Sequence, residues 1–260
     1  MDNIIEKTQK SFSAQAENFE SKNMNFSKQE YLDYTIKAIS ASKTDHVLEV
    51  AAGTCACGRS MASEVASVIC LDATPAMLRI GEKAAREKHM TNISFVEGLA
   101  EKLPFGYNSF DIVMTRLTFH HFAEMRKPFE EMNRVLKPTG KLVIIDMEAT
   151  EETLRETEDA IETMRDFSHV KNRSKEEFLS LYNEYGYEIL LSESTPIPVE
   201  LSAWMKLTNT SPEDSQAIIE KMENDIGGNE QTGFFPYKRD DKIYFNQQWL
   251  MMVGKKPDKA

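Results

Sequence analysis

Residues 47–59 read V-L-E-V-A-A-G-T-C-A-C-G-R, and this stretch decides the fold. It opens on a short apolar run with one carboxylate, which is typical of a buried parallel strand. The small residues at 51–54 follow, and small side chains let a ligand approach the backbone closely. A helix predicted at about 58–66 would turn its free N–H groups toward that ligand. The stretch therefore predicts a nucleoside-binding strand, loop and helix.

A second apolar run, at 68–71, ends in Asp72, at the distance beyond the loop where a ribose-binding acid is expected. A carboxylate there can accept hydrogen bonds from both sugar hydroxyls. Gly53 alone is far from a full G-x-G-x-x-G fingerprint, so the loop also fits a turn that serves packing only. Asp72 also fits a helix-start residue. The two signals together favour the nucleoside site.

Composition restricts the class of protein. A chain of 260 residues holds one α/β domain with a small addition, and a net charge of −11 opposes binding to nucleic acid. Three cysteines, an odd number, suit a reducing cytoplasm, and Cys55-x-Cys57 lacks the spacing of a zinc site, so we expect no metal. No apolar run is long enough to span a bilayer, and the polar first residues lead us to expect no signal peptide. We expect a cytoplasmic protein without stable membrane insertion, and leave its oligomeric state open.

Apolar periodicity predicts alternating helices and strands along the first half of the chain. The predicted helices are at about 30–40, 75–88 and 124–136, and further strands are predicted at 93–96, 110–114 and 141–146. Helices at 153–167, 174–185 and 199–226 then accompany strands at 187–194 and 242–253. Such alternation predicts an α/β fold with a doubly wound, mostly parallel sheet.

The same pattern divides the chain into four parts. Residues 1–45 form an N-terminal helical segment or flap, within which 11–26 is either a helix or a flap that orders over a ligand. Residues 46–195 form the core, and 196–241 form a helical cap insert, because this connection is too long for a tight turn. Residues 242–260 provide the final strand that completes the core sheet.

Five motifs in chain order carry a resemblance to a known family. After residues 47–58 and Asp72 come E-G-L-A-E-K-L-P-F at 97–105, Phe110-Asp111, and E-M-N-R-V-L-K-P-T-G at 131–140. In this order they resemble class I S-adenosylmethionine-dependent methyltransferases, in particular the small-molecule branch that includes ubiquinone and menaquinone biosynthesis enzymes. The resemblance is good over roughly 12–146. It implies a Rossmann-like sheet of seven strands, with the last inserted antiparallel, and a helical cap over the substrate.

The resemblance also implies S-adenosyl-L-methionine as the cofactor and assigns its binding residues by position. Glu49 and the loop from Ala51 to Gly53 would face the methionine and ribose, and Asp72 would bind the ribose hydroxyls. Met77 would lie against the adenine face as a soft apolar partner, although it fits a core residue equally well. The remaining positions expected at the cofactor are Ala73, Leu99, Ala100, Glu101, Thr115 and Arg116.

This chain departs from the family pattern at three positions. Leu99 stands where the family has an acid for the adenine amino group, so that group would be read by the backbone around Leu99 and Ala100 or by Glu101. Ala51 and Cys55 stand where glycines are usual. We expect the cysteine side chain to narrow the space beside the methionine tail.

The residues after the fourth predicted strand, T-R-L-T-F-H-H-F at 115–122, are similar to an S/R-x-x-x-H-H stretch in related sequences. The resemblance places this loop beside the acceptor. An imidazole can take a proton from an acceptor near neutral pH, so His120 and His121 are the candidate general bases. Each of them also fits a histidine that only hydrogen-bonds the loop. Many methyl transfers need no general base, because holding donor and acceptor in line supplies much of the rate enhancement.

The sequence therefore predicts a methyltransferase that moves a methyl group by in-line displacement to an unidentified small-molecule acceptor. Two alternatives stay open. One is a non-catalytic protein that binds S-adenosylmethionine, and the other is a nicotinamide-dependent oxidoreductase, for which A-x-G-x-x-A at 51–56 is a poor fingerprint. The aromatic and apolar residues of the cap are Trp204, Met205, Phe234, Phe235 and Tyr237. They indicate a planar or lipophilic acceptor, but they fit equally well a role as the hydrophobic core of the cap.

Overall fold

The structure is a computed structural model that describes residues 2–16, 19 and 28–258. The strands are β1 (His46–Val50), β2 (Ser67–Asp72), β3 (Ile93–Glu97), β4 (Phe110–Arg116), β5 (Leu136–Met147), β6 (Glu188–Glu200), β7 (Tyr237–Arg239) and β8 (Lys242–Lys255). The helices are α1 (Asp2–Gln15), α2 (Gln29–Ile39), α3 (Ala56–Met61), α4 (Pro75–Glu87), α5 (Arg126–Val135), α6 (Arg155–Arg165), α7 (Lys175–Glu184), α8 (Leu201–Leu207) and α9 (Pro212–Ile226).

The strands form one sheet in the order β3-β2-β1-β4-β5-β8-β6, with β7 paired to β8. β1 to β5 run parallel, whereas β8 is antiparallel to both of its neighbours, β5 and β6. This order confirms the predicted doubly wound, mostly parallel sheet with an antiparallel last strand. Within the described residues, the three-residue strand β7 adds an eighth strand beside the seven predicted.

Two predicted helices differ from the structure by more than their end residues. The helix predicted at 58–66 is the six-residue α3 followed by one 3-10 turn at Ala62–Glu64, and extended backbone at Val65 then leads into β2. The helix predicted at 199–226 is instead the end of β6 and two helices. α9 starts afresh because Pro212 occupies its first turn and the Ser211 hydroxyl accepts the Asp214 N–H.

Alternate residues of the central strands pack into two cores, one on each face of the sheet. Leu48 and Val50 face the core beneath α5 and α7, together with Phe129 and Tyr182. Val47 faces the opposite core, which includes buried residues of α2, α3 and α4. A third, smaller core belongs to residues around α8 and α9, and its members are Ile161, Val199, Leu201, Trp204, Met205, Ile218, Met222, Phe234 and Phe245.

The N-terminal helix α1 lies across the carboxyl edge of the sheet. Gln9 Nε2 donates to the Ala73 carbonyl at 2.7 Å, which ties α1 to the residue after β2. Residues 1, 17, 18 and 20–27 of the predicted flap lie outside the described residues. Within the described ranges the longest helix is α9, with 15 residues, and no helix is long and apolar enough to cross a bilayer.

Candidate active site

A cavity of about 870 Å³ lies at the carboxyl ends of the parallel strands, where the strand order reverses between β1 and β4. This switch point is where open α/β sheets bind ligands, and the volume is near the upper end of the roughly 300–1,000 Å³ of ligand sites. The ends of β1, β2 and β3 line one half, which we call the β1 half. The ends of β4, β5 and β6, the start of β8, and α8 line the other, the β8 half.

The loop after β1 contains three residues with left-handed backbone. They are Ala51 (φ 51°), Gly53 (φ 55°) and Cys55 (φ 61°). Glycine adopts this conformation without strain, whereas other residues are strained there by about 1–3 kcal/mol. This explains why glycine is usual at the positions of Ala51 and Cys55.

The Cys55 side chain does not narrow the cavity, and that expectation was wrong. Cys55 is fully buried in the core on the α3 side, and its Sγ donates to the Gly53 carbonyl at 3.6 Å. Cys57, two residues later, lines the cavity instead. The space beside the loop is therefore set by Ala51, Gly53 and Cys57.

Glu49 fixes the start of α3. The Gly58 N–H donates to Glu49 Oε2 at 2.7 Å, and a Cβ placed on Gly58 would lie 2.6 Å from that oxygen. Burial raises the pKa of Glu49 to about 7, against the opposing effects of the Gly58 amide and of two nearby arginines, Arg116 and Arg59. The carboxyl group lines the cavity and holds the loop at the same time.

Asp72 joins the loop after β1 to the start of α4. Its Oδ2 accepts the Gly53 N–H at 2.7 Å, and its Oδ1 accepts the Thr74 N–H at 2.7 Å. Burial raises the pKa of Asp72, although these two amides oppose the rise. The Thr74 hydroxyl and the Ala73 amide also oppose the rise in pKa, and the Asp72 side chain lines the cavity.

The loop after β3, which carries Leu99, Ala100 and Glu101 along the cavity, is held from α5. Arg134 donates from Nη1 to the Phe105 carbonyl at 2.8 Å and from Nη2 to the Leu103 carbonyl at 3.0 Å. Glu131 pairs with Arg134 and accepts the Leu103 N–H at 2.7 Å. The two sequence motifs at 97–105 and 131–140 are therefore one structural unit that shapes the cavity wall.

Helix α1 closes one side of the cavity through a buried polar contact. Ser11 Oγ donates to Asp166 Oδ1 at 2.9 Å, and Gln15 Nε2 donates to Asp166 Oδ2 at 3.1 Å. All three residues are buried, and Phe12 between them packs edge-on against His121 with ring centroids 5.0 Å apart. We call this contact of Ser11, Gln15 and Asp166 the α1 latch.

His120 and Asp146 form a buried pair on the β8 half. His120 Nδ1 lies 2.6 Å from Asp146 Oδ1, and the amides of Thr118 and Phe119 donate to Asp146 Oδ2. Burial alone would raise the pKa of Asp146, but His120 and these two amides outweigh it and hold the pKa below its usual value. An ionised Asp146 assigns the proton of His120 to Nδ1 and leaves Nε2 as an acceptor beside the cavity.

The neighbouring histidines hold this pair in place. Burial lowers the pKa of His121 to about 3, and the adjacent His120 imidazole would resist a second positive charge beside it. His121 is therefore neutral near pH 7, and its Nδ1 lies 3.0 Å from the Ser168 carbonyl. His169 stacks against His120 with ring centroids 5.8 Å apart and contacts Asp159 through Nε2 at 2.7 Å. The His120 carbonyl accepts the amide of Val170. The loop before α7 therefore fixes the loop that carries His120.

The structure brings most of the predicted site residues to this one cavity. Those that line it are Glu49, Ala51, Gly53, Asp72, Ala73, Leu99, Ala100, Glu101, Arg116, His120 and His121. Met77 and Thr115 are fully buried and do not line it. Sequence reasoning missed Asp146, although an acid at the carboxyl end of the strand beside β4 was a signal for it. It also missed Asp166, for which the sequence offers no local signal.

The aromatic residues of residues 196–241 divide between core and cavity. Trp204 belongs to both, because it lines the cavity and packs edge-on against Phe234 and Phe245. Met205 and Phe234 belong to the cap core, whereas the Phe235 side chain is 61% exposed. Tyr237 stacks on Tyr244. Over the described part of the chain, no group of three or more His, Cys, Asp or Glu side chains is arranged to hold a metal ion.

Residues 48–144 match the model of a methyltransferase domain family. The chain is 31% identical over 211 residues to the uncharacterized methyltransferase YcgJ of Bacillus subtilis (strain 168), an alignment that covers 80% of this chain and 82% of that protein. The crystal structure of YcgJ has a TM-score of 0.78 to this chain, covering 88% of this chain and 98% of that one at 27% identity. Demethylmenaquinone methyltransferase of Listeria welshimeri is 35% identical over 115 residues, which are 43% of this chain and 49% of that enzyme.

Proposed function

Because the chain belongs to the methyltransferase domain family, we propose that it transfers the methyl group of S-adenosylmethionine to a small-molecule acceptor by in-line displacement. One observation carries the proposal. Asp72 with its small-residue loop and the His120–Asp146 pair line opposite halves of the same cavity. Donor and acceptor bound in these halves would meet at the switch point of the sheet. Family membership favours this reaction over the nicotinamide alternative.

The β1 half offers the hydrogen-bond acceptors and the open backbone that S-adenosylmethionine requires. Asp72 would accept the ribose hydroxyls, and the small loop residues Ala51 and Gly53 would let the cofactor reach the backbone. The adenine amino group would be read by Glu101 or by the backbone of Leu99, since the Leu99 side chain offers no acceptor. The bound cofactor supplies a methyl group already activated on a sulfonium.

The β8 half supplies alignment and proton removal. As the acceptor attacks, its proton would pass to His120 Nε2, and the negative charge of Asp146 would stabilise the imidazolium that forms. Helices α1 and α8 both line the cavity and would exclude water. In this proposal residues 196–241 act as a cap that shapes the acceptor site. The free thiols of Cys55, Cys57 and Cys70 support a reducing, cytoplasmic location.

The test is to incubate the protein with S-adenosylmethionine and a broad panel of small phenols, amines and acids, and to measure S-adenosylhomocysteine by mass spectrometry. We expect S-adenosylhomocysteine to form in proportion to a methylated product for at least one acceptor class. Tight cofactor binding with no product across the panel would favour a protein that only senses the cofactor. A change in absorbance with reduced nicotinamide, and none with the methyl donor, would favour the oxidoreductase.

A further inference from the structure

The β8 half of the cavity has a basic wall in an acidic protein. The chain has a net charge of −11, yet five cationic side chains line this half: Arg116, Arg165, Lys206, Arg239 and Lys242. Only two carboxylates, Asp166 and Glu200, line it with them. The β1 half has the opposite balance, because its lining carboxylates are Glu49, Asp72 and Glu101. The two halves are therefore built for ligands of different charge.

Lys242 and Arg165 already have carboxylate partners. Lys242 Nζ lies 2.9 Å from Glu200, and Arg165 Nη2 lies 3.0 Å from Glu162. Asp166 is held by the α1 latch. None of the ion pairs formed within the described ranges includes Lys206 or Arg239. The charge of Asp240 also acts on Arg239 and Lys242. The cations that line this wall still outnumber its lining carboxylates, Asp166 and Glu200.

Aromatic faces lie directly beside these cations. The Arg165 guanidinium lies 4.7 Å from the centre of the Trp204 ring, and that of Arg239 lies 4.2 Å from the centre of the Tyr244 ring. Trp249 is mostly buried and lines the same wall. Aromatic side chains in this arrangement bind planar apolar groups, while the neighbouring cations compensate an anion that leaves water.

Resting on the proposed function, we propose that the methyl acceptor is an organic anion with a planar apolar body. Trp204, Tyr244 and Trp249 contact the body. Lys206 and Arg239 hold the anionic group, a carboxylate or a phosphate, with Lys242 beside them. This arrangement directs the nucleophilic atom of the acceptor toward His120 and keeps the negative charge away from the carboxylates of the β1 half.

The two tryptophans of this chain are Trp204 and Trp249, and both line the proposed site, so their indole N–H signals report on its occupancy. Protein labelled with ¹⁵N-tryptophan is titrated first with S-adenosylhomocysteine, then with 3-hydroxy-2-naphthoate, 2-naphthyl phosphate or 3-hydroxy-2-naphthamide. We expect at least one of the two anions to shift an indole signal and to bind about tenfold more tightly than the neutral amide. The better anion identifies carboxylate or phosphate as the preferred group.

The double variant Lys206→Gln, Arg239→Gln should lose that preference while its affinity for the amide is unchanged. Lys238→Gln is the matched control, because Lys238 is exposed on the same strand as Arg239 and does not line the cavity. Equal binding of anion and amide, a preference that survives in the double variant, or no shift with either anion would overturn the proposal. If S-adenosylhomocysteine itself does not bind, the proposed function fails, and the comparison of probes on the free protein still decides the charge preference.

Discussion

In the proposed reaction, His120 takes a proton from the acceptor and Asp146 positions His120. We predict that His120→Ala lowers kcat by about 10²- to 10⁴-fold and leaves the affinity for S-adenosylhomocysteine unchanged, since His120 is on the β8 half. Asp146→Asn should also lower kcat, because the Asn amide no longer stabilises the imidazolium. Steady-state kinetics and a binding titration on the same samples check both effects. The control is His46→Ala, because His46 is exposed and does not line the cavity. An unchanged kcat in His120→Ala would mean that the enzyme works by alignment of donor and acceptor without a general base.

We expect the ionisation of Glu49 to make the stability of the fold depend on pH. Burial raises its pKa from 4.5 to about 7, so the folded state binds the proton more tightly than the unfolded state does. The stabilisation from this proton is therefore full below about pH 4.5 and is lost as the pH rises to about 7, by at most about 3 kcal/mol. Glu49→Gln cannot ionise and keeps an oxygen for the Gly58 N–H. We predict that urea unfolding at about pH 8 finds the variant more stable than wild type, with the difference disappearing near pH 4.5. A variant less stable at both pH values would contradict this.

At the scale of elements, the α1 latch determines how firmly α1 covers the cavity. Ser11→Ala combined with Gln15→Ala removes two donors to Asp166 and changes no residue of the loop that carries His120. We predict faster amide exchange in α1 and about tenfold weaker binding of S-adenosylhomocysteine, mainly through faster release. Ser13→Ala, which is exposed on the same helix, should match wild type. Equal exchange and affinity in the double variant would mean that α1 is held by its apolar contacts alone.

Helix α4 supports the loop after β1 through a close approach at Gly81. A Cβ there would lie 2.5 Å from the Thr54 carbonyl oxygen, which belongs to backbone and cannot rotate away. We predict that Gly81→Ala destabilises the fold by about 1–3 kcal/mol and weakens cofactor binding, because the loop must move. Gly106→Ala, whose Cβ would meet its nearest atom at an ordinary 3.7 Å, is the control. Urea unfolding measures the stability, and equal values for the two variants would contradict the prediction.

The sequence predicts the elements better than the contacts between them. Apolar runs and helix periodicity locate the strands β1 to β5 because these signals are local, and the family resemblance carried by five motifs is confirmed by the comparisons. The break between α8 and α9 was missed, although Pro212 was a visible helix start. The latch joins Ser11 to Asp166, 155 residues apart, and His120 contacts Asp146 across 26 residues. Such contacts leave no periodic pattern, so only the folded chain identifies them.

At the scale of the whole molecule, the switch point of the sheet places an acidic half and a basic half around one cavity. The ends of β1 and β2 and the loop after β3 bring carboxylates, while α6, α8 and the β7–β8 pair bring cations. In the proposed reaction, this division would let a cationic sulfonium cofactor and an anionic acceptor lie side by side, each in its own half. The division follows from the strand order and does not depend on the net charge of the whole chain, which is −11.

The measurement that tests the central claim most directly is isothermal titration calorimetry with S-adenosylmethionine and S-adenosylhomocysteine. We predict that both bind at one site per chain, and that Asp72→Ala weakens them by about ten- to a hundredfold because charged hydrogen bonds to the ribose are lost. Asp33→Ala, an exposed acid on α2, should bind as wild type does. The absence of binding heat for both ligands at high micromolar concentration, with the protein folded by circular dichroism, would contradict the account.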